Sequence, residues 1–527
     1  MKDSLIKRIV PLIAAVVWTG SSLIYDRSTF SVSPISMAHN YIPCKILMFA
    51  LVYAASFFVV RAVSDTSSFE MQVLKYALIY FIPIILVLIY KLPEGFLSND
   101  ESLIFSEALK LADYTWFYYI TTWYYIISVM LIPSWLGPII IKVILQCLCA
   151  GYCVARLKRY LGGAKKAYLL YCAFFLPPIL AYTTSAHRIP LYIFLYILFM
   201  FTIYMDKLEK EELTPKRAIP LLFLMAVLTQ WRTEGIYLSV FGIIMILICY
   251  PSLYEVREKA VKNILLLVLS YFLIQYIVAV PQYGVIPSRL GDKATNRMLP
   301  FYAYTVTNLY RNGLDLEDPE NAASWEKVDR YLDVEKIAAI NNYLGDINYE
   351  DSLILYYEGY DGRRYDATDE DYLAFVEGVQ ELMRRNPGVL IRTKWGSFDY
   401  AATVYDPVTG QGVLSLAVSL VKTVAYNLYI PMILLALMLI WSLIKIKERA
   451  FFTMLSLCLF AHFTIVFILA PASYFKYYFP VYFTTYFFIL LLLLLRPEKN
   501  AVSIPTGSDA NAPLQAFLRK DGLQPRK

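Results

Sequence analysis

Two adjacent carboxylates, Asp100 and Glu101, stand near the end of the stretch LPEGFLSNDES (92–102). Two readings are open for them. Ser98 and Glu101 have the spacing of a capping box, and Asp100 in a first helical turn complements the helix dipole. A carboxylate held there can also take a proton from an acceptor hydroxyl as a general base. Three other short stretches carry charge between apolar runs: TTSAHRIP with His187 and Arg188, QWRTEGIYL with Arg232 and Glu234, and APASYFKYYFP with Lys476. Arg and Lys can hold a phosphate or diphosphate as its charge grows, Arg in a bidentate manner. Carboxylates and cations in one cavity at membrane depth are the parts needed to form or break a bond to an anionic lipid phosphate. Structural readings stand beside these: Arg232 and Glu234 as an ion pair closing a helical hairpin, His187, Arg188 and Lys476 as interfacial anchors, and His462 as an interhelical hydrogen-bonding group. Three histidines far apart give no metal signature, while Asp100 and Glu101 leave open a divalent cation.

The elements that must position these residues are set by composition. The chain has 527 residues, 58% hydrophobic, 16% aromatic and 17% charged, which excludes a soluble domain set and implies an all-α polytopic membrane protein. A helix crosses the hydrocarbon core with about 20 apolar residues, and about twelve runs qualify, near 8–25, 44–62, 72–90, 136–155, 167–184, 190–206, 217–231, 235–250, 262–281, 424–444, 450–470 and 479–495. Basic clusters fall on alternate connections, among them Lys7 and Arg8, Arg61 and Lys75, Arg156 to Lys166, Lys207 to Arg217, Arg257 to Lys262, and Lys445 to Arg449. The positive-inside rule then predicts both termini in the cytoplasm of a multi-pass plasma-membrane protein, with the first span a retained anchor because no small-residue cleavage site follows it.

This topology divides the chain into a membrane region at 1–281 with an acidic outer loop at 91–135, an extracytoplasmic domain at 282–415, a second membrane region at 416–496, and a disordered cytoplasmic tail at 497–527. The outer insertion lies between spans nine and ten, holds 22 acidic and 13 basic residues, and contains helix-like patterns such as VDRYLDVEKIAAINNYL and DEDYLAFVEGVQELMRR. After span three, residues 101–112 place Ile104, Ala108 and Leu111 on one face with Glu107 and Lys110 on another, and the aromatic segment 115–135 suits a helix lying in or re-entering from the outer interface. Seven cysteines lie in or beside apolar runs and imply no disulfide framework. The chain carries no Gly-rich nucleotide loop and no HExxH pair, and nucleic acid is not an expected partner; the lipid bilayer is.

With these features in place the chain resembles the GT-C superfamily of integral membrane glycosyltransferases. LPEGFLSNDES is similar to that superfamily's early acidic outer loop, 101–135 looks like its membrane-parallel helices, WRTEGIYL resembles its Arg-containing turn, and SYFKYYFP its basic aromatic turn. Two features depart from the pattern: the acidic loop follows the third span rather than the first, and the outer domain is inserted rather than C-terminal. The resemblance implies a polyprenyl-phosphate-linked sugar donor, a glycan or lipid acceptor, and inversion at the anomeric carbon. It implies Asp100 as general base, Glu101 as helper or ligand of a divalent cation, and Arg232 and Lys476 steadying the donor phosphate with His187 or Arg188. Glu234 and Ser98 would support them. The rival expectations are a lipid-linked glycan polymerase or ligase, and a transporter or flippase of lipid-linked sugars.

Overall fold

A computed structural model describes residues 2–91, 99–113, 117–282, 298–344, 362–403, 413–470 and 472–496. Among them there are no strands, only two isolated bridges, and the chain is an assembly of helices. Ser98 and the tail at 497–527 lie outside the described residues.

The first membrane region runs α1 (Lys2–Thr29), α2 (Tyr41–Ser64), α3 (Phe69–Lys91), α4 (Asn99–Leu109), α5 (Tyr119–Leu131), α6 (Gly137–Tyr160), α7 (Tyr171–Phe174), α8 (Pro177–Thr183), α9 (Ile189–Glu209), α10 (Pro215–Trp231), α11 (Leu238–Cys249) and α12 (Arg257–Val280). The polar insertion contributes α13 (Leu299–Arg311), α14 (Pro319–Asp329), α15 (Val334–Leu344), α16 (Asp369–Arg385) and α17 (Pro387–Ala402). Then follow α18 (Val413–Ala425), α19 (Tyr429–Leu443), α20 (Ile446–Leu469) and α21 (Phe479–Leu494).

Among the described residues eight helical segments are long and apolar enough to cross a membrane: Lys7–Thr29, α2, α3, α6, α9, α12, α20 and Phe475–Leu494. This is an all-α, multi-pass membrane protein. The other four apolar runs are shorter or broken. The run at 167–184 divides into a 3-10 turn, α7 and α8, with Pro177 and Pro178 starting a new helix rather than continuing the old one. Helices α10, α11 and α19 have 17, 12 and 15 residues. Hydropathy counts apolar residues whether or not the backbone through them is one helix, so these four segments score as spans without being long helices. Likewise α5 has 13 residues, about 20 Å at the helical rise, which is too short to cross a bilayer.

One large aromatic-rich core joins α3, α6, α9 to α12 and α19 to α21. Close approach matters here: a Cβ at Gly151 of α6 would meet Ala77 N of α3 at 2.5 Å, so glycine lets these two backbones touch. The polar insertion has its own core of Leu299, Ala303, Val306, Leu309, Val328, Leu332, Ile337, Phe375, Val379 and Leu382. The stretch VDRYLDVEKIAAINNYL is two helices, α14 and α15, separated by a turn that pairs Leu332 with Arg363. DEDYLAFVEGVQELMRR is one helix, α16, capped by a Thr368–Asp371 capping box. Helix α17 ties this unit to the bundle, with Phe398 against Phe463, Phe467 and Tyr478.

The ion pairs and turns sort the connections to two ends. At one end Arg61 pairs with Glu70 at 2.8 Å, and Arg156 and Arg217 close on Asp206, Glu209 and Glu211. The opposite end holds Lys91, the start of α4, His187, Arg232, the 472–478 turn and the polar insertion.

Candidate functional site

The rotation of α4 gives its two carboxylates different surroundings. Ile104 and Ala108 form its buried face, as the helical spacing predicts, and Leu111 in the left-handed turn past its end is buried with them, while Glu107 and Lys110 pair with each other at 2.7 Å on the outside. Glu101 falls on the buried stripe because it precedes Ile104 by three positions and Ala108 by seven. Asp100 is one residue, about 100°, around the helix. The Glu101 side chain is therefore 1% exposed and that of Asp100 41%.

Glu101 holds the TTSAHRIP turn. Its Oε1 accepts from Arg188 Nη1 at 3.0 Å, and its Oε2 stands 3.2 Å from His187 Nδ1 without hydrogen-bond alignment. The Arg188 guanidinium lies 3.5 Å from the centre of the Phe117 ring, so it is sandwiched between a carboxylate and an aromatic face. The same turn is fixed from below by Lys142 of α6. Its Nζ donates to Tyr182 O at 3.2 Å and His187 O at 3.1 Å, and also to Ser185 O. These carbonyls belong to the end of α8 and the turn that follows, where backbone acceptors lack helical partners. Lys142 stands inside an apolar run, and that lone charge was the sequence signal for it.

The turn SYFKYYFP lies between two groups. Lys476 Nζ is 3.6 Å from Asp100 Oδ2 and 4.5 Å from the centre of the Tyr474 ring. The next residue, Tyr477, faces the other way: the Arg232 guanidinium is 5.7 Å from its ring centre, and His462 Nε2 is 3.0 Å from its carbonyl oxygen. Arg232 and Glu234 form a close ion pair within the 3-10 turn Thr233–Tyr237. Lys476 feels the charges of Asp100, Glu101, Arg188 and Arg232 together. The structure thus brings Asp100, Glu101, His187, Arg188, Arg232, Glu234 and Lys476 to one end of the bundle in two adjoining lobes, with Lys476 and Tyr477 as the join.

Three carboxylates here meet three Arg and Lys side chains, with His187 and Lys142 adding protonatable nitrogens. Asp100 already faces an ammonium and Glu101 a guanidinium, and among the described residues no group of three His, Cys, Asp or Glu side chains is placed to hold a metal. Glu101 is the anchor of Arg188.

Residues that pattern reading missed connect α4 and α5 to the N-terminal hairpin. Asn40 donates to Leu111 O at 3.1 Å and Asp113 Oδ1 at 3.0 Å and accepts from Trp123 Nε1 at 2.9 Å, while His39 Nε2 is 2.6 Å from Asp113 Oδ2. A cavity of about 490 Å³ opens between α1, α4 and α5, lined by Tyr25, Phe105, Leu109, Val129 and Trp135 among others. It lies toward the far end of α4 from Asp100 and is separate from the charged lobes. The chain matches no protein-family model, no curated protein and no solved structure.

Proposed function

We propose that this protein is a membrane glycosyltransferase of the GT-C kind, which moves a sugar from a polyprenyl-phosphate donor to an acceptor hydroxyl of a cell-envelope glycan or lipid. In this reading the twelve apolar runs all enter the bilayer, both termini are cytoplasmic, and the charged lobes and polar insertion face outward. The observation that carries the reading is the accessible Asp100 carboxylate beside Lys476, set on a buried Glu101–Arg188–His187 base. Basic side chains at an outer surface have no topogenic reason to be there, whereas an anionic donor gives them one.

The geometry supports a single-displacement reaction. The donor phosphate enters beside Lys476, and the ammonium turns from Asp100 toward the phosphate oxygens. Asp100, released from its counter-charge, accepts the proton of the acceptor hydroxyl. That oxygen attacks the anomeric carbon, the bond from carbon to the phosphate oxygen breaks, and the electron pair leaves on the polyprenyl phosphate. Lys476 and Arg188 offset the charge that grows there. Attack opposite the leaving group inverts the anomeric centre, as in single-displacement glycosidases. Glu101 moves no proton; it keeps Arg188 oriented. The lined cavity between α1, α4 and α5 suits a lipid chain by its mainly apolar walls.

The test uses purified wild type and Asp100→Asn with a panel of polyprenyl-phosphate sugars, measuring sugar release. Release by wild type that collapses in the folded variant is expected. Full activity with Asn at 100 would overturn the base assignment, and transbilayer movement of the donor without release would favour a flippase.

A further inference from the structure

The turn that carries Lys476 is held by the polar insertion as well as by the bundle. Phe475 and Tyr477 contact the bundle: the Phe475 ring stacks on Tyr182 at 6.4 Å and meets Tyr426 at 5.4 Å, and the Tyr477 carbonyl oxygen stands 3.0 Å from His462 Nε2. Ser473 and Tyr478 meet the insertion. The Tyr478 ring packs on Phe398 of α17 with centres 5.2 Å apart. The Ser473 hydroxyl lies 2.5 Å from that of Tyr304 on α13 and 2.8 Å from that of Ser397 on α17, and the Tyr304 and Ser397 hydroxyls are 2.9 Å apart. Lys476 is thus flanked on both sides by contacts to the insertion, and its Nζ stands 3.6 Å from Asp100 Oδ2.

The three hydroxyls form a closed ring in which each can donate once and accept once. All three residues are buried, and hydrogen bonds joined in this way strengthen one another in a dry interior. The partners are 93, 169 and 76 residues apart along the chain, so the ring exists only where the insertion is docked on the turn. An apolar contact alone could slide, because hydrophobic attraction has no direction. A ring of hydroxyls has one register: a shift of Ser473 breaks two of its bonds and leaves the hydroxyl buried without those partners.

We infer that this ring sets the reach of Lys476: Tyr304 and Ser397 of the polar insertion are positioning residues that act on the phosphate-binding ammonium through Ser473, three residues before it. The inference rests on the proposed role of Lys476 at an anionic lipid phosphate and gives the insertion a part in building that site. The ammonium has to serve both Asp100 and the phosphate, and displacing a positioned group by about 1 Å can cost on the order of 10²-fold.

The test measures farnesyl phosphate binding to the full-length detergent-purified protein by thermophoresis. Ser473→Ala opens the ring from the turn and Tyr304→Phe/Ser397→Ala opens it from the insertion, so the same state is reached by two routes. Each should weaken binding about tenfold, and Lys476→Met at least as much. Adding Ser473→Ala to Lys476→Met should weaken binding no further, because the ring acts through that ammonium. Wild-type affinity in either ring variant overturns the inference. So does a further loss of the same size on the Lys476→Met background, which is what a merely structural ring gives. Sugar release from farnesyl-phosphoryl glucose, mannose and galactose is read in parallel. A wild type that binds farnesyl phosphate with this non-additivity but releases no sugar upholds the positioning and counts against the proposed transfer. A wild type that does not bind farnesyl phosphate overturns both.

Discussion

Asp100 and Glu101 are neighbours with opposite expected phenotypes, and the structure gives the sizes. Replacing Glu101 by Ala leaves Arg188, whose side chain is only 10% exposed, without its carboxylate. Breaking one side of a buried pair costs about 3–5 kcal/mol, and the retained contact of Arg188 with Phe117 offsets about 1 kcal/mol of that. The net loss is about 2–4 kcal/mol, a fall in thermal midpoint on the order of 5 °C or more. Asp100→Asn meets a different situation. Its side chain is 41% exposed and its ion pair is 3.6 Å long, so the change costs less than about 1 kcal/mol. Removing a general base lowers turnover by about 10² to 10⁴. Thermal unfolding and sugar release measured on the same preparations separate the two. Asp100→Asn should unfold as wild type does and be nearly inactive, while Glu101→Ala should unfold early. Equal destabilisation by both substitutions would refute the division of labour drawn from the rotation of α4.

Three further outcomes follow. Lys142→Met removes the donor shared by Tyr182 O, Ser185 O and His187 O, and should lower stability by about 2–3 kcal/mol and raise the apparent KM for the donor by disordering His187 and Arg188; an unchanged KM would count against it. Lys394 in the polar insertion is 5% exposed, bonds Thr305 at 3.3 Å, and is pushed by burial down to about 7 from the usual lysine value near 10.4. Between those pH values the unfolded chain binds a proton that the folded one does not, so stability rises with pH from about 7 to about 10, and below 7 the full penalty of up to about 4–5 kcal/mol is present. Lys394→Met should flatten that dependence in thermal unfolding and raise the midpoint most at pH 6. Asn40→Ala should cost about 1–3 kcal/mol and increase proteolysis around α4 and α5; a protease pattern identical to wild type would argue against the clamp.

What was legible in the sequence was local. Ile104 and Ala108 mark the buried face of α4, and that face alone accounts for the contrast between Asp100 and Glu101. The charged turns could be picked out because charge between apolar runs is costly, but their convergence depends on packing between α4, α9, α10 and α20 that no periodicity encodes. Lys142 was hidden by its context, since one charge scarcely alters the average hydropathy of a span. The double proline at 177–178 was a visible break that run length overrode. Arg156 illustrates a residue with two readings: as part of a basic connection it marks topology, and in the fold it is a buried partner of Asp206 and Glu209.

The N-terminal hairpin packs directly on the helix that carries the acidic pair. Helices α1 and α2 add a core of Phe30, Cys44 and Met48 that is continuous with Ile104, Ala108, Tyr125 and Met130 of α4 and α5. Ser31 N donates to Leu109 O at 2.9 Å, and Tyr25 Oη to Met130 O at 2.8 Å. The hairpin is in turn locked by an ion pair of Lys45 with the buried Asp26, which also accepts from Tyr41 at 2.8 Å. A helix of 11 residues is marginal alone, so α4 takes its orientation from what it packs on. Its C-terminal end is held by Asn40 and Ser31 and its N-terminal end by Arg188, more than 70 residues away in either case of long-range partner. Two distant anchors on one short helix fix both its tilt and its rotation, and those two angles decide that the Asp100 side chain is exposed while that of Glu101 is buried. The hairpin is therefore part of what aims the carboxylate, and loosening it should be felt at Asp100 before any residue of the charged lobes is changed.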